Sequence, residues 1–329
     1  MEKKEKFIGI DVSQKTLDIC ISCDEKTSLV IKNTDHSIVN FFKKELKNKG
    51  ELVYVCIEHT GKYSWKLMSI LPDLNCKFYV VNPLHLKRSM GMIRGKNDKI
   101  DAIRIASFIK KNHDEIDEFI PRREAIETLQ LLLSERSYRV GVRAQLQTKK
   151  KEYKVLSNTK MKKEFSHQND LLISKISKQI KNIESQIKTL IKQDKQLHKL
   201  DKQMQSIPGV GVITSWNVLV KTNEFKSIKT PRKMACYSGV APFQNTSGTS
   251  VFGRNRVSLM ADKSMKKLFH LGAMSAIRLQ NDLQVYYLRK VNEGKNKMAV
   301  LNAVRNKIIH LIFAITKSES LYQNRLVTS

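Results

Sequence analysis

Two continuous apolar runs constrain this chain most: "LVYVCIE" at 52–58 and "CKFYVVN" at 76–82. Neither alternates, so each reads as a strand covered on both faces, with a helix-like "SWKLMSIL" (64–71) between them. Three short strand-like runs precede them, "FIGIDV" (7–12), "LDICISC" (17–23) and "SLVIKN" (28–33), separated by polar turns and followed by an amphipathic "HSIVNFFKKELKN" (36–48). A further helix, "NDKIDAIRIASFIKK" (97–111), follows the second buried run. The order of three strands, helix, strand, helix, strand, helix predicts an α/β layer with a mixed sheet, one unit over residues 1–115.

The middle, 116–203, has a different texture. After Pro121 it has no proline and one glycine, Gly141. Ile173, Ile176, Ile180, Ile183, Ile187 and Leu190 follow steps of three and four, with Leu197 resuming after Asp194, which is the seam of a coiled coil. Two helices of one chain folded into a hairpin, or a self-association arm, satisfy this spacing equally. Asp194 falls at a core position and is expected to weaken the seam. The lysine-rich "QTKKKEYKVLSNTKMKKE" (147–164) reads as a loop or frayed helix end that touches nucleic acid.

The remainder, 204–329, reads as mostly helical. "SIPGVGVITSWNVLV" (206–220) sets a Pro-Gly-x-Gly turn before a helix, a geometry that suits a phosphate but is shared by plain helix junctions. Two long amphipathic helices are predicted at 262–279 and 296–317. Between them and the short helix "TPRKMACYSG" (230–239) lies "PFQNTSGTSVFGRNR" (242–256), read as a flexible loop with almost nothing to bury.

The chain carries 60 Lys and Arg against 31 Asp and Glu, a formal charge of +29. That excess argues against an enzyme of small neutral substrates and for a polyanion partner, whose counterions basic side chains release. No apolar run reaches the ~20 residues of a spanning helix, and the N-terminus enters a strand with no signal core, so a soluble, cytoplasmic protein is expected, with no membrane partner. Cys20 and Cys23 form a C-x-x-C without a second pair and read as reduced thiols.

Against this basic background a few acids stand out. Asp11 lies inside an apolar strand, where a carboxylate is costly unless paired or bound to a metal. Glu58 ends another apolar strand. Asp98 and Asp101, three apart, share one helix face. Brought together, the four would repel, and oxygen-only ligands would select Mg²⁺ or Mn²⁺. The plainer readings are a helix-start Asp pair and an ordinary strand end.

"FIGIDVSQKTLDI", "CIEHTGKYSWKL" and "NDKIDAIRIASF" together resemble the N-terminal domain of DEDD transposases, and "SIPGVGVITS" with "YSGVAPFQNTSGTSVFGRNRVS" resembles their C-terminal transposase domain. These are the recombinases of the IS-one-ten and IS-eleven-eleven insertion sequences. The resemblance implies a RuvC-like, ribonuclease-H-type domain with metal ligands Asp11, Glu58, Asp98 and Asp101. It further implies a serine nucleophile at Ser247. The implied partners are donor and target double-stranded DNA, a structured non-coding bridge RNA, and further copies of the chain in a dimer or tetramer. After "RVS" the family often has a glycine and a pair of arginines. Here Ala261, Lys266 and Lys267 stand instead, keeping charge but losing bidentate phosphate geometry.

For the 242–256 stretch two readings compete: serines that only make turns, or Ser247 as a nucleophile, with Ser250 as its rival. On the second, Arg254 and Arg256 neutralise phosphate charge and Gly248 and Gly253 admit the DNA backbone. A water-hydrolysing RuvC-like nuclease is the alternative enzyme, and a non-catalytic nucleic-acid scaffold the alternative outside enzymes.

Overall fold

The computed structural model describes residues 4–48, 50–89, 98–155, 157–247, 251–258 and 260–324. It divides into two compact units, Met1–Pro121 and Arg122–Ser329.

The first unit runs β1 (Lys4–Val12), β2 (Thr16–Ile21), β3 (Leu29–Lys32), α1 (Asp35–Glu45), β4 (Glu51–Glu58), α2 (Trp65–Ile70), β5 (Lys77–Val81), α3 (Pro83–Ser89) and α4 (Asp98–Asn112). The sheet order is β3-β2-β1-β4-β5. β1–β2 and β2–β3 are antiparallel, whereas β1–β4 and β4–β5 are parallel, so the sheet is mixed as expected. The polar "DVSQKT" makes the first hairpin because the Ser13 amide reaches the Thr16 carbonyl at 3.0 Å. The parallel pairs need crossovers, which α1 and α2 supply. α3, which follows Pro83 directly, was not legible as a helix.

Strand alternation sorts the side chains into two layers. Ile8, Ile10, Leu17, Ile19, Val55 and Ile57 pack with Ile38 and Phe42 of α1 and Leu67 of α2. The opposite face carries Phe7, Tyr54, Cys56 and Tyr79, packed on Ile105, Phe108 and Ile109 of α4. On that second face Gly9 fixes how close α4 comes. A Cβ built at Gly9 would lie 2.2 Å from the Ala106 nitrogen and 2.3 Å from the Ala102 carbonyl oxygen. Only glycine lets the helix backbone settle onto β1 there, and alanines one turn apart complete the seat.

The second unit is helical apart from one hairpin: α5 (Glu124–Tyr153), α6 (Thr159–Gln193), α7 (Lys195–Gln205), α8 (Val212–Thr222), α9 (Pro231–Tyr237), β6 (Phe243–Ser247), β7 (Val251–Arg256), α10 (Lys263–Ala276), α11 (Asp282–Asn292) and α12 (Lys297–Ser318). α5 and α6 form an antiparallel hairpin: Arg136 meets Glu184 at 2.7 Å, Arg139 meets Gln179 at 3.2 Å, and Lys150 meets Asp170 at 2.6 Å. The isoleucine seam thus closes within one chain, with Ile180, Ile183 and Ile187 buried. Of the two readings of 147–164, a loop or a frayed helix end, the loop does not hold: α5 continues through the lysines to Tyr153, and α6 begins at Thr159. Lysine is a good helix former, so charge alone does not end a helix.

Asp194 does not weaken the seam; it ends it. Its carboxylate caps α7 by accepting from the Leu197 amide at 2.9 Å, and it pairs with Arg123 at 2.8 Å. The same guanidinium holds Glu224, whose side chain is wholly buried. Burial alone would raise the Glu224 carboxyl; Arg123 and Lys226 hold it below its usual range. Glu224 sits among three successive left-handed residues, Asn223, Glu224 and Phe225, with φ of 49°, 55° and 65°. The Pro-Gly-x-Gly turn has a packing cause: a Cβ at Gly209 (φ 87°) would lie 2.2 Å from the Gly272 carbonyl oxygen of α10.

A core of Leu129, Ile187, Leu197, Trp216, Leu219, Phe269, Ile308 and Ile312 joins the α5–α6 hairpin to the later helices. α12 is long and apolar enough to pass for a membrane span, which the sequence reading did not recognise, but its apolar residues Val304, Ile308, Ile309 and Ile312 belong to this core.

Two stability outcomes follow from these contacts. Gly9→Ala should destabilise the first unit by about 1–3 kcal/mol through overpacking, read by urea unfolding, and Ala106→Gly in the same chain should not return it, because the atoms in the way are helix backbone. Arg123→Met should cost about 3 kcal/mol because it leaves buried Glu224 with only the more distant Lys226 as a cation; adding Glu224→Gln should recover much of that loss.

Candidate metal centre and serine hairpin

Strand parity and register decide which acids share a face. Asp11 has the parity of Phe7 and Gly9, so it stands on the α4 side of β1, and it is half-buried. Glu58 has the parity of Tyr54 and Cys56 and lies one step past the Ile10–Ile57 pair, at the same end of the sheet. α4, seated on Gly9 through Ala102 and Ala106, begins at Asp98 and carries Asp101 in its first turn. The fold therefore brings all four expected acids to one edge of one face.

The electrostatics register this convergence. The Asp11 carboxyl is raised from 3.8 to about 6, first by burial and then by the charges of Asp98, Asp101 and Glu58. Asp101 is held by Arg104 of the same helix at 2.6 Å. Among the described residues no three His, Cys, Asp or Glu side chains are placed closely enough to share a metal ion. The donor set fits a hard divalent cation in kind, because it is all oxygen, although Arg104 already pairs with one of its members, Asp101.

A fifth acid escaped the sequence reading. Asp18 of β2 is the direct antiparallel partner of Asp11, and it is buried. Its carboxyl is raised by burial and by Asp98, with Lys99 opposing. Like charges placed directly across a ladder are destabilising. The signal that marked Asp11, an acid inside an apolar strand, was equally present in "LDICI".

Ser247 is the last residue of β6, in the second unit. What read as a flexible loop is a two-stranded ladder with Ser247 opposite Val251; Gly248 and Ser250 lie outside the described residues. Arg254 and Arg256 are on β7, where the ladder shifts: Phe243 pairs with Arg256 but Asn245 with Gly253, so β7 holds one extra residue there. Such bulges are common beside active sites.

The base of this hairpin is tied to the helical core. The Asp262 amide donates to the Tyr237 carbonyl at 2.8 Å, and Asn302 of α12 donates to the Val240 carbonyl at 2.9 Å. The Asp262 carboxylate caps α10 through the Ser264 and Met265 amides and accepts from Tyr237 Oη at 3.1 Å and Lys221 at 2.9 Å. Burial would raise that carboxyl, but the Ser264 hydroxyl, the Met265 amide and Lys221 together hold it far below its usual value. Lys266 and Lys267 follow in the first turns of α10, the first half-buried and the second exposed.

Comparison with known proteins bears on both units. A transposase family model of the DEDD type of IS110 elements matches residues 8–159, and a second, "Transposase IS116/IS110/IS902 family", matches residues 201–288. The "Pilin gene-inverting protein" of Moraxella lacunata is 24% identical over 328 residues, covering 97% of this chain and 98% of that protein. Its counterpart in Moraxella bovis is also 24% identical over the same span. An "Insertion element IS110 uncharacterized 43.6 kDa protein" of Streptomyces coelicolor is 29% identical over 121 residues, 37% of this chain and 30% of that protein. With both family models matched in order along the chain, this protein belongs to the IS110 family and is a DNA transposase/recombinase.

Proposed function

We propose that the chain cuts, exchanges and rejoins DNA strands through a phosphoserine formed at Ser247, with Asp11, Glu58, Asp98 and Asp101 holding Mg²⁺ or Mn²⁺. The observation that carries this reading is Asp11, whose carboxyl is held near 6 by burial and three neighbouring acids on one edge of the sheet. A divalent cation bound there would polarise the phosphate and offset the charge that develops in the transition state.

Ser247 Oγ attacks the phosphorus, a new P–O bond forms, and the bond to one strand's oxygen breaks, releasing that strand as a hydroxyl. The Oγ proton passes to solvent or a neighbouring base. Attack by the incoming strand's hydroxyl on the phosphoserine reverses the exchange and restores the serine. No energy source is consumed, because bond count is conserved. Arg254 and Arg256, on the bulged strand beside Ser247, neutralise phosphate charge, and Lys266 and Lys267 hold the backbone.

Both donor and target are double-stranded DNA on this reading, and a bridge RNA selects them. The chain acts as a homo-oligomer in the cytoplasm, with Ser247 delivered in cis or in trans. A second reading, hydrolysis by water at the acid site alone, is favoured by one fact: all four acids belong to the first unit and Ser247 to the second.

The two readings separate on denaturing gels. Incubated with its element's DNA and Mg²⁺, the protein should form a covalent adduct that is lost in Ser247→Ala and in Asp11→Ala. Cleavage that survives Ser247→Ala with no adduct would establish hydrolysis instead, and an adduct lost only in Ser250→Ala would move the nucleophile.

The acid site also predicts a pH-dependent metal response. Asp11 titrates near 6 when folded and at 3.8 otherwise. Its contribution to the metal-free fold is therefore present below about pH 4 and lost as pH rises through about 6. Metal-free protein should gain Tm when Mg²⁺ is added at pH 7.5 and gain much less at pH 5. Asp11→Asn should raise the metal-free Tm at pH 7.5 and remove the Mg²⁺ response. An unchanged response in Asp11→Asn would exclude this site.

A further inference from the structure

A groove of about 610 Å³ runs along the second unit, walled on one side by α5 and on the other by α8 and the start of α10. Its α5 wall carries Ser134, Tyr138 and Gly141; Asn217 and Lys221 face it from α8, and Arg122 closes one end. No carboxylate is among its lining residues.

Three features of the groove lack a cause inside the chain. Gly141 stands in the interior of α5, where glycine costs up to ~1 kcal/mol relative to alanine. A Cβ there would meet nothing within 4 Å, so no packing contact requires the glycine. Tyr138, one turn before it, is 70% exposed, a large aromatic face turned to water. Arg122 is exposed and reaches Gln130, a neutral partner, with Glu127 close enough to favour its charged form. Lys221 is neutralised in part by Asp262. The groove thus offers a cation hydrogen-bonded to a neutral amide, an exposed ring, hydroxyl and amide groups, and clearance beside the ring.

We propose that this groove binds an unpaired nucleotide of a single nucleic-acid strand, its phosphate at Arg122 and its base stacked on Tyr138 over the space that Gly141 leaves open. The chemistry suits one strand. Aromatic faces bind bases of any sequence by stacking, and an exposed guanidinium hydrogen-bonded to a neutral amide takes the phosphate. The volume is that of a small-ligand site, far below what a duplex needs. Strand exchange requires unpaired nucleotides at some stage, so the site rests on the DNA-handling activity of the family while adding a substrate form and a position to it.

Fluorescence anisotropy in EDTA tests this on the full-length protein. The probes are an oligothymidylate and an oligouridylate of about twelve nucleotides each, and a DNA duplex of the same length. Tyr138→Ala should weaken single-strand binding roughly tenfold, and Tyr138→Phe should restore it. Gly141→Leu should weaken it as well while raising Tm, because leucine fills the groove and favours the helix. Duplex affinity should stay within about twofold in all three. A loss confined to the RNA probe or to the DNA probe supports the site and names its source. Single-strand binding unchanged in both Tyr138→Ala and Gly141→Leu, or a duplex loss in step with the single-strand loss, overturns the groove. Failure of the wild-type chain to bind any of the three probes overturns it together with the DNA-handling reading beneath it.

Discussion

The backbone-to-backbone seat of α4 on Gly9 sets the geometry of the first unit. Because a Cβ at Gly9 would lie 2.2 Å from a helix nitrogen, there is one height at which α4 can cross β1. Ala102 and Ala106 fix that height, and Asp98 and Asp101 are within a turn of Ala102. The approach therefore decides that the helix-borne acids come up to Asp11 at all. A larger residue at Gly9 would lift the helix and relax the repulsion that raises Asp11. The stability of the layer and the strain of the acid site are coupled through this one contact, because apolar packing of Ile105, Phe108 and Ile109 supplies the force that holds like charges together.

How much of this was legible in the sequence depends on whether a residue's cause is local. Asp11 was legible because an acid in an apolar strand violates a local rule, and Asp98 and Asp101 because helix periodicity puts residues three apart on one face. Glu58 followed from the end of a buried run. Gly9 was illegible, since "FIGIDV" reads as a strand with or without a glycine and the reason for it is a helix ninety-odd residues later in the chain. Asp18 was legible by the same rule as Asp11 and was passed over.

In the second unit the misreadings share a different origin. Heptad spacing located the seam correctly, but it assigns every core position the same meaning. At Asp194 the chain uses that position to stop one helix and cap the next. Charge runs were likewise overread: lysines at 149–151 are compatible with helix, and α5 continues through them. The hairpin β6–β7 was hidden by composition. Glycine, serine and asparagine suggested a loop, whereas the pairing rests on backbone hydrogen bonds that such residues can make as well as any.

On the proposed reading, Ser247 and the acids reflect opposite solutions to placing reactive groups. The acids are held by a sheet edge and a helix start, so their positions are over-determined and their electrostatic strain is stored in the fold. Ser247 ends a two-stranded ladder, a class of structure that is marginal by itself. That ladder is made usable by its base, where Asp262 gathers a helix start, Tyr237 and Lys221, and where Asn302 ties Val240 to α12. These contacts tie the base of the ribbon to the helical core. On the proposed reading this is the arrangement strand exchange needs: the electrophilic side is fixed, and the nucleophile must be presented, carry a covalent DNA end, and be released. The same logic accounts for the bulge at Arg254 and Asn255, since an extra residue in β7 bends the strand and increases the local twist of the ribbon.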